Sequence, residues 1–345
     1  MKLMKYVFCL LILLVVSTSI NAQQKDINIA PAPLFRDPIF DGAADPSIIY
    51  NHVEKAWYMF YTNRRANVDC VGTSWVYGTH IACASSSDNG RTWVYRGSLD
   101  LEFENGHNTF WAPHIVYDNG KYHMYVTYIT GIRDHWSGRG QIAHYDSDDL
   151  WDWNFVDLLD LSENALLDAT VFQKPSGKWG IWYKDSKTGA TVEAVGDNLY
   201  EFNPVPGNVV DDVGHEAPLV FSFKGYYWLL TDQWEGLGVY RSKDTDNWEK
   251  MGVILGEPGT RKEDNVRASH PGVAVVGEKA YVFYFTHPGW GEEGGWGDDN
   301  AKKDAAGILP HRYRYSVIQV AELKFEDGKL TSDRNAPFDF YLLNL

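Results

Sequence analysis

Cysteine is scarce in this 345-residue chain, with only Cys9, Cys70 and Cys83. Three cysteines cannot build a disulfide framework. Without a C-x-x-C or H-E-x-x-H pattern, and with scattered histidines, the sequence argues against catalytic zinc. Positive charge is also short: 31 Lys and Arg stand against 46 Asp and Glu, for a formal net charge of −15. A surface of that sign argues against nucleic acid or an anionic membrane as partner. There is no phosphate-binding G-x-x-x-x-G-K-[ST], and the glycines of 289–297 lack the strand–helix setting of a dinucleotide site. Long helical periodicity is missing, and no Pro/Ser-rich linker divides the chain. A long apolar run occurs once, at Val7–Val16, behind Lys2 and Lys5 and ahead of Asn21-Ala22. That pattern predicts a secretory signal peptide over 1–22, too short for a stable anchor, and no membrane insertion elsewhere. The expectation is a secreted or periplasmic protein whose residues 23–345 form one domain. In an oxidising compartment Cys70 and Cys83 either pair across the single loop they flank or stay free.

What the chain has in quantity is aromatic residues, including 14 Trp and 21 Tyr. They recur in a pattern. Five short apolar strands, DPSIIY, APHIVY, DATVFQ, EAPLVF and HPGVAV, begin at Asp45, Ala112, Asp168, Glu216 and His270. Each precedes an aromatic-rich run: WYMFYT, YHMYVTY, WGIWYKD, YYWLLTD and YVFYFT. A strand–turn–strand unit repeating every 48 to 67 residues predicts an all-β, five-bladed β-propeller with a central cleft. Blade one spans Asp45 to Leu99, and blades two to four span 107–157, 164–207 and 212–255. Blade five starts near Ala268, with outer strands at Ser316–Phe325 and in the tail ending near Leu345. The segment Asn28–Phe40 is a candidate for a ring-closing strand. Ser86-Ser87-Asp88-Asn89-Gly90-Arg91-Thr92-Trp93 matches the Asp-box hairpin turn S-x-D-x-G-x-T-W, with weaker echoes at Asp146–Trp153, Asn198–Phe202 and Ser242–Trp248. Large rings suit the wedges between blades, and they also suit stacking on sugar rings. One long loop, His287–Pro310 with Trp290 and Trp296, breaks the repeat and is expected to wall the cleft.

In a propeller, first-strand residues of one phase converge on the axis. Aligning the apolar residues puts Asp45, Asp168 and Glu216 in that phase, with Ala112 and His270. Converging acids repel and shift one another's proton affinity, an arrangement that suits chemistry better than structure. Glycosidic hydrolysis uses such a set and needs no cofactor: one carboxylate activates water, one protonated acid serves the leaving oxygen, and a third tunes that acid. Asp37 is a second Asp-Pro acid near the entry strand and competes with Asp45 as base.

The motifs Asp45-Pro46-Ser47-Ile48, Trp111-Ala112-Pro113-His114, Asp168-Ala169-Thr170-Val171-Phe172 and Glu216-Ala217-Pro218 resemble the blade starts of glycoside hydrolase family 43 over residues 35–290. The resemblance implies an inverting glycosidase acting on arabinofuranosyl, xylosyl or galactosyl linkages of plant or algal oligo- or polysaccharide. It implies Asp45 as general base, Asp168 as tuner and orienter, and Glu216 as general acid. For inversion, the Asp45 and Glu216 carboxylates would stand roughly 6.5–9.5 Å apart. His270 matches an axial histidine beside a cation, commonly calcium, or a water cluster. Trp111, Arg64, His215, Arg267 and Trp290 are candidate substrate contacts, with Arg65 beside Arg64; His114 is expected to pack within blade two. The His215-Glu216 pair, the Asp-box and the insertion after His287 depart from the common family pattern. Competing readings are a propeller that cleaves anhydrogalactose from agar oligosaccharides and a carbohydrate-binding propeller without turnover. A fructan-cleaving enzyme fits poorly, because Ala44-Asp45-Pro46-Ser47 is not Asn-Asp-Pro-Asn-Gly.

Overall fold

The computed structural model describes residues 27–295 and 297–343. The signal-peptide segment 1–22 and Trp296 lie outside the described residues. The chain forms five four-stranded antiparallel sheets, each with its strands in sequence order. Blade one holds β1 (Ala43–Asn51), β2 (Ala56–Asn63), β3 (His80–Ser86) and β4 (Val94–Ser98). Blade two holds β5 (Thr109–Asp118), β6 (Lys121–Ile129), β7 (Gln141–Ser147) and β8 (Asn154–Leu158). Blade three holds β9 (Leu166–Gln173), β10 (Trp179–Asp185), β11 (Ala190–Gly196) and the two-residue β12 (Asn203–Pro204). Blade four holds β13 (Glu216–Phe223), β14 (Tyr226–Asp232), β15 (Leu237–Ser242) and β16 (Glu249–Ile254). Blade five holds β17 (Ser269–Val276), β18 (Lys279–Thr286), β19 (Val317–Glu326) and β20 (Lys329–Thr331). The first strand of each blade touches that of the next, and β1 touches β17, so the ring closes.

Burial explains the sequence patterns. Second strands such as AWYMFYTN are buried along their whole length, because neighbouring blades cover both faces. They therefore read as continuous apolar runs, whereas the outer strand VYRGS alternates exposed and half-buried positions. Tyr58, Phe60, Cys83, Tyr122, Met124 and Tyr128 share one cluster between blades one and two. The Asp-box turn has its expected structural role: Thr92 donates to Asp88 through both its amide and its hydroxyl, and Trp93 Nε1 donates to Gly90 O. Trp153 and Trp248 repeat the last bond at Leu150 and Thr245.

Ring closure differs from the expectation. The outer strand of blade five is Lys329–Thr331, not the tail. The N-terminal segment contributes isolated bridges, Phe35 to Ile318 and Ile29 to Asp339, in place of a full strand. The tail then inserts Phe338, Phe340 and Leu342 among Tyr50, Trp57, Tyr281 and Phe283, joining blades one and five. Cys70 and Cys83 are both free, and Cys83 is locked inside blade one.

The first strands share one local feature that builds the cleft. Each ladder skips at a bulge, where two residues oppose one on the second strand: 45–46, 112–113, 168–169, 217–218 and 270–271. The leading residue of each pair has positive φ: Asp45 54°, Ala112 50°, Asp168 57°, Ala217 54° and His270 45°. Such non-glycine backbone costs on the order of 1 kcal/mol or more apiece and is typical of functional sites. This register corrects the sequence alignment at one blade. The residue of blade four in phase with Asp45 and Asp168 is Ala217; Glu216 sits one position earlier, equivalent to Ala44, Trp111, Leu167 and Ser269.

Candidate active site

A pocket of about 370 Å³ opens at the axis, lined by Asp45, Arg64, Val76, Trp111, Trp136, Leu167, Asp168, Glu216, Trp234 and His270. The bulges explain why two adjacent phases reach it. Asp45, Asp168 and His270 lead their bulges, while Trp111, Leu167 and Glu216 precede theirs. A larger open groove of about 920 Å³ adjoins it and shares Trp234, but contains none of the three matched acids.

The carboxyls differ in electrostatic setting. Burial pushes Asp45 upward, but the Arg64 guanidinium, His270 and hydrogen bonds from Thr62 and Arg64 outweigh it and hold the group below the usual carboxylate range. Arg64 Nη2 reaches Asp45 Oδ1 at 3.1 Å, and His270 Nδ1 lies 3.4 Å from the same oxygen. Arg64 is itself fixed: it stacks over Phe285 and lies 3.4 Å from His287 Nε2. The His287 Nδ1–H donates to Tyr315 O, which leaves Nε2 as the acceptor for Arg64. Asp168 is pushed up to about 7 by burial and then by the charge of Asp45, with Lys184 and the Ala217 amide opposing. Glu216 is raised by burial and then by Asp168. One ionised carboxylate and a raised pair thus face a single pocket.

The remaining predicted residues divide. Trp111 lines the pocket with its Nε1 anchored on Val76 O at 2.6 Å. Arg64 also lines it, but as the clamp on Asp45. Arg267 is half-buried and lies outside the lining; burial lowers it, opposed by Asp232, Glu235 and Glu216. His215 is a correction: it is fully buried, bonded to Thr191 Oγ1 and Val213 O, and secures the start of β13. Trp290 is a second correction. It is buried against Trp75, Val76, Tyr77, Leu309 and Tyr313, so its loop buttresses the cleft wall from behind. Asp37 drops out as a base, because its oxygens accept from the Ile39 and Phe40 amides and the Tyr61 hydroxyl. Arg65 donates to Tyr77 O and Ser74 O. His114 lines a small axial cavity of about 40 Å³ and accepts from Val171 N.

The calcium expectation also meets the structure. Among the described residues no group of three or more His, Cys, Asp or Glu is placed to hold a metal. His270 faces Asp45, and its own amide is held by Asp232 Oδ2 at 2.9 Å. A cation beside His270 would therefore take most of its ligands from water, and His270 also serves as a partner of Asp45.

Four lining residues escaped the sequence reading: Val76, Trp136, Trp234 and Leu167. Trp136 and Trp234 are exposed, at 66% and 42%, and sit on loops with no periodicity to mark them. Trp234 is the second residue after YYWLLTD, so alignment of the second strands alone points toward its turn.

No protein-family model matches the sequence, and no curated protein is significantly similar to it. Solved structures do match. A thermostable family-43 glycoside hydrolase superposes with a TM-score of 0.60 at 18% identity, over 88% of this chain and 97% of that one. The chain has the family-43 fold. A family-43 β-xylosidase/α-arabinofuranosidase from a compost microbial metagenome, in complex with xylotriose and calcium-free, matches at 0.59 and 15% identity over 84% and 93%. A family-43 β-1,3-galactosidase with galactodeoxynojirimycin matches at 0.58 and 14% over 84% and 93%. Within the family-43 fold, the pocket lies where the five first strands meet.

Proposed function

We propose that this protein is a secreted or periplasmic, inverting glycoside hydrolase that removes terminal arabinofuranosyl, xylosyl or galactosyl units from oligo- or polysaccharide. The observation that carries the reading is the opposite push on buried carboxyls around one pocket: Asp45 held charged, Glu216 held toward its protonated form. Asp45 takes a proton from water as the water oxygen bonds to the anomeric carbon. Glu216 gives its proton to the glycosidic oxygen as the carbon–oxygen bond breaks, and the product has inverted configuration. Asp168 orients the acid, its Oδ2 accepting from Ala217 N at 3.1 Å next to Glu216, and once it ionises, at about pH 7, its charge opposes ionisation of Glu216. No step requires a cofactor. Trp111, Trp136 and Trp234 offer faces for sugar rings, and the pocket's volume suits a chain end. The pentose and galactose units are supported by the xylotriose and the galactose analogue held by the two relatives of like fold.

The test is hydrolysis of a panel of aryl glycosides and oligosaccharides, with the product anomer read by NMR. Asp45→Asn is expected to lose on the order of 10²–10⁴-fold or more in kcat with every substrate. Glu216→Gln should lose as much on oligosaccharides and less on aryl glycosides, whose leaving groups need little protonation. Sugar binding without turnover across the panel would instead make the protein a carbohydrate-binding propeller. Equal wild-type activity in both variants would overturn the assignment.

A further inference from the structure

The second strands carry a repeat of their own. Opposite the residue that precedes each bulge stand Thr62, Thr127, Lys184, Asp232 and Phe285. In two blades this position is a threonine with the same backbone task, and Thr62 also hydrogen-bonds Asp45. Thr62 Oγ1 accepts from Ala112 N at 2.8 Å, and Thr127 Oγ1 accepts from Asp168 N at 2.9 Å. Each hydroxyl thus secures the positive-φ residue of the next blade. Asp232 does the same for His270 N at 2.9 Å, yet with a carboxylate where a neutral hydroxyl suffices elsewhere. Its partner across the strand pair is Glu216. A buried charge is costly, so a charge placed where a hydroxyl would serve calls for a second role.

We propose that Asp232 is a positioning residue for the proton of Glu216: a buried carboxylate fixed opposite the acid, whose charge disfavours ionisation of Glu216 and whose two oxygens order the neighbouring pocket wall. This rests on the reading of Glu216 as the acid. Asp232 is 2% exposed. Its Oδ1 accepts from the amide of Trp234, at 2.8 Å, and its Oδ2 from that of His270. Two amide donors favour the charged form of Asp232 while burial and the charge of Glu216 oppose it, so the two carboxyls titrate as a coupled pair and removing one charge moves the titration of the other. Burial and then Glu216 push Asp232 up to about 6 against those amides. The groups facing the pair come from every side. Asp45 on β1 and, once ionised, Asp168 on β9 add negative charge, while Lys184 on β10, Arg267 before β17 and His270 on β17 oppose it. His215 precedes Glu216 and is turned to Thr191 and Val213, with burial lowering its basicity. Lys184 lies 4.9 Å from the centroid of the Trp234 ring. A carboxylate at 232 therefore ties acid, His270 and Trp234 to one strand end.

The experiment uses the full chain and two substitutions. Asp232→Thr keeps an acceptor for the His270 amide, as in blades one and two, and removes the charge; Asp232→Asn removes the charge with the side-chain shape kept. The Glu216 carboxyl is titrated by ¹³C NMR, identified by difference against Glu216→Gln in each background. The kcat/KM pH profile is followed on an oligosaccharide. The Glu216 titration should move down by about half a pH unit or more in both variants, and the alkaline limb should fall with it. KM should rise in Asp232→Thr, where the Trp234 amide loses its acceptor. An unmoved Glu216 titration in both folded variants would overturn the proposal. A shifted titration with an unmoved alkaline limb supports the coupling and sinks the assignment of Glu216 as acid. If Asp232→Thr does not fold, the Asp232→Asn titration alone decides.

Discussion

At Asp168 burial and the neighbouring charge of Asp45 act in the same direction, and together they hold its carboxyl up to about 7. A group whose proton affinity rises on folding stabilises the protein fully below the unfolded carboxyl range, and that contribution is lost as pH rises through the folded value. Between pH 5 and 8 the native state must therefore ionise Asp168 in place or strain against doing so. Asp168→Asn removes the problem while its amide oxygen still accepts from Ala217 N. Denaturant unfolding should show the variant gaining stability relative to wild type with pH, by about 2–3 kcal/mol between pH 5 and pH 8. A difference that stays flat with pH would mean Asp168 is not held protonated. Asp45 makes the contrast, because Arg64 and His270 hold it low; it is expected to remain charged throughout that window. The hydrolysis profile should accordingly have its acid limb below the ordinary carboxylate range and its alkaline limb above it.

Among the elements, the Asp-box turn between β3 and β4 gives the cleanest separation of stability from activity. Asp88 takes the Thr92 amide and hydroxyl and a bond from Ser86, and none of the three lines the pocket. Asp88→Ala should cost about 1–2 kcal/mol in urea unfolding and leave kcat/KM within error; a large loss of activity would tie this turn to the cleft. The same elements show what a sequence makes legible. Second strands were readable because burial on both faces writes an unbroken aromatic run, and Asp45 and Asp168 because each opens such a unit. Blade four slipped by one residue because its apolar run starts one position earlier: Leu219 directly follows the bulge, where blade one has Ser47 before Ile48. Pro46, Pro113, Pro218 and Pro271 each follow a bulge leader, and that proline was the better marker. Asp232, Trp136 and Trp234 were missed because they sit on second-strand ends and loops, whose positions come from tertiary packing. His215 and Trp290 were misassigned for the same reason: nearness in sequence to a pocket residue says nothing of which way a side chain faces.

For the whole molecule the question is how a five-membered ring stays closed. The final blade completes its own four strands by Thr331, so closure does not depend on a shared strand. It depends on side chains threaded between blades one and five. Phe340 is fully buried, set edge-on to Tyr281 and packed near Phe283 and Phe338. The backbone around it is tied to the N-terminal segment and to the Asp-box turn of blade one: Phe340 N donates to Asn28 O at 2.8 Å, and Leu342 N to Asn89 O at 2.9 Å. Trp57 Nε1 reaches Leu343 O at 3.0 Å, bringing blade one to the same tail. Removing the ring leaves a cavity in a wedge held on two sides by β-sheet that cannot collapse freely. Phe340→Ala should therefore cost about 3–5 kcal/mol, read as a lowered urea midpoint. Since no tail residue lines the pocket, kcat/KM measured well below the melting temperature should stay near that of wild type. Retained stability in Phe340→Ala would mean that the inter-strand contacts of β1 with β17 close the ring by themselves, and that the tail is only a cover.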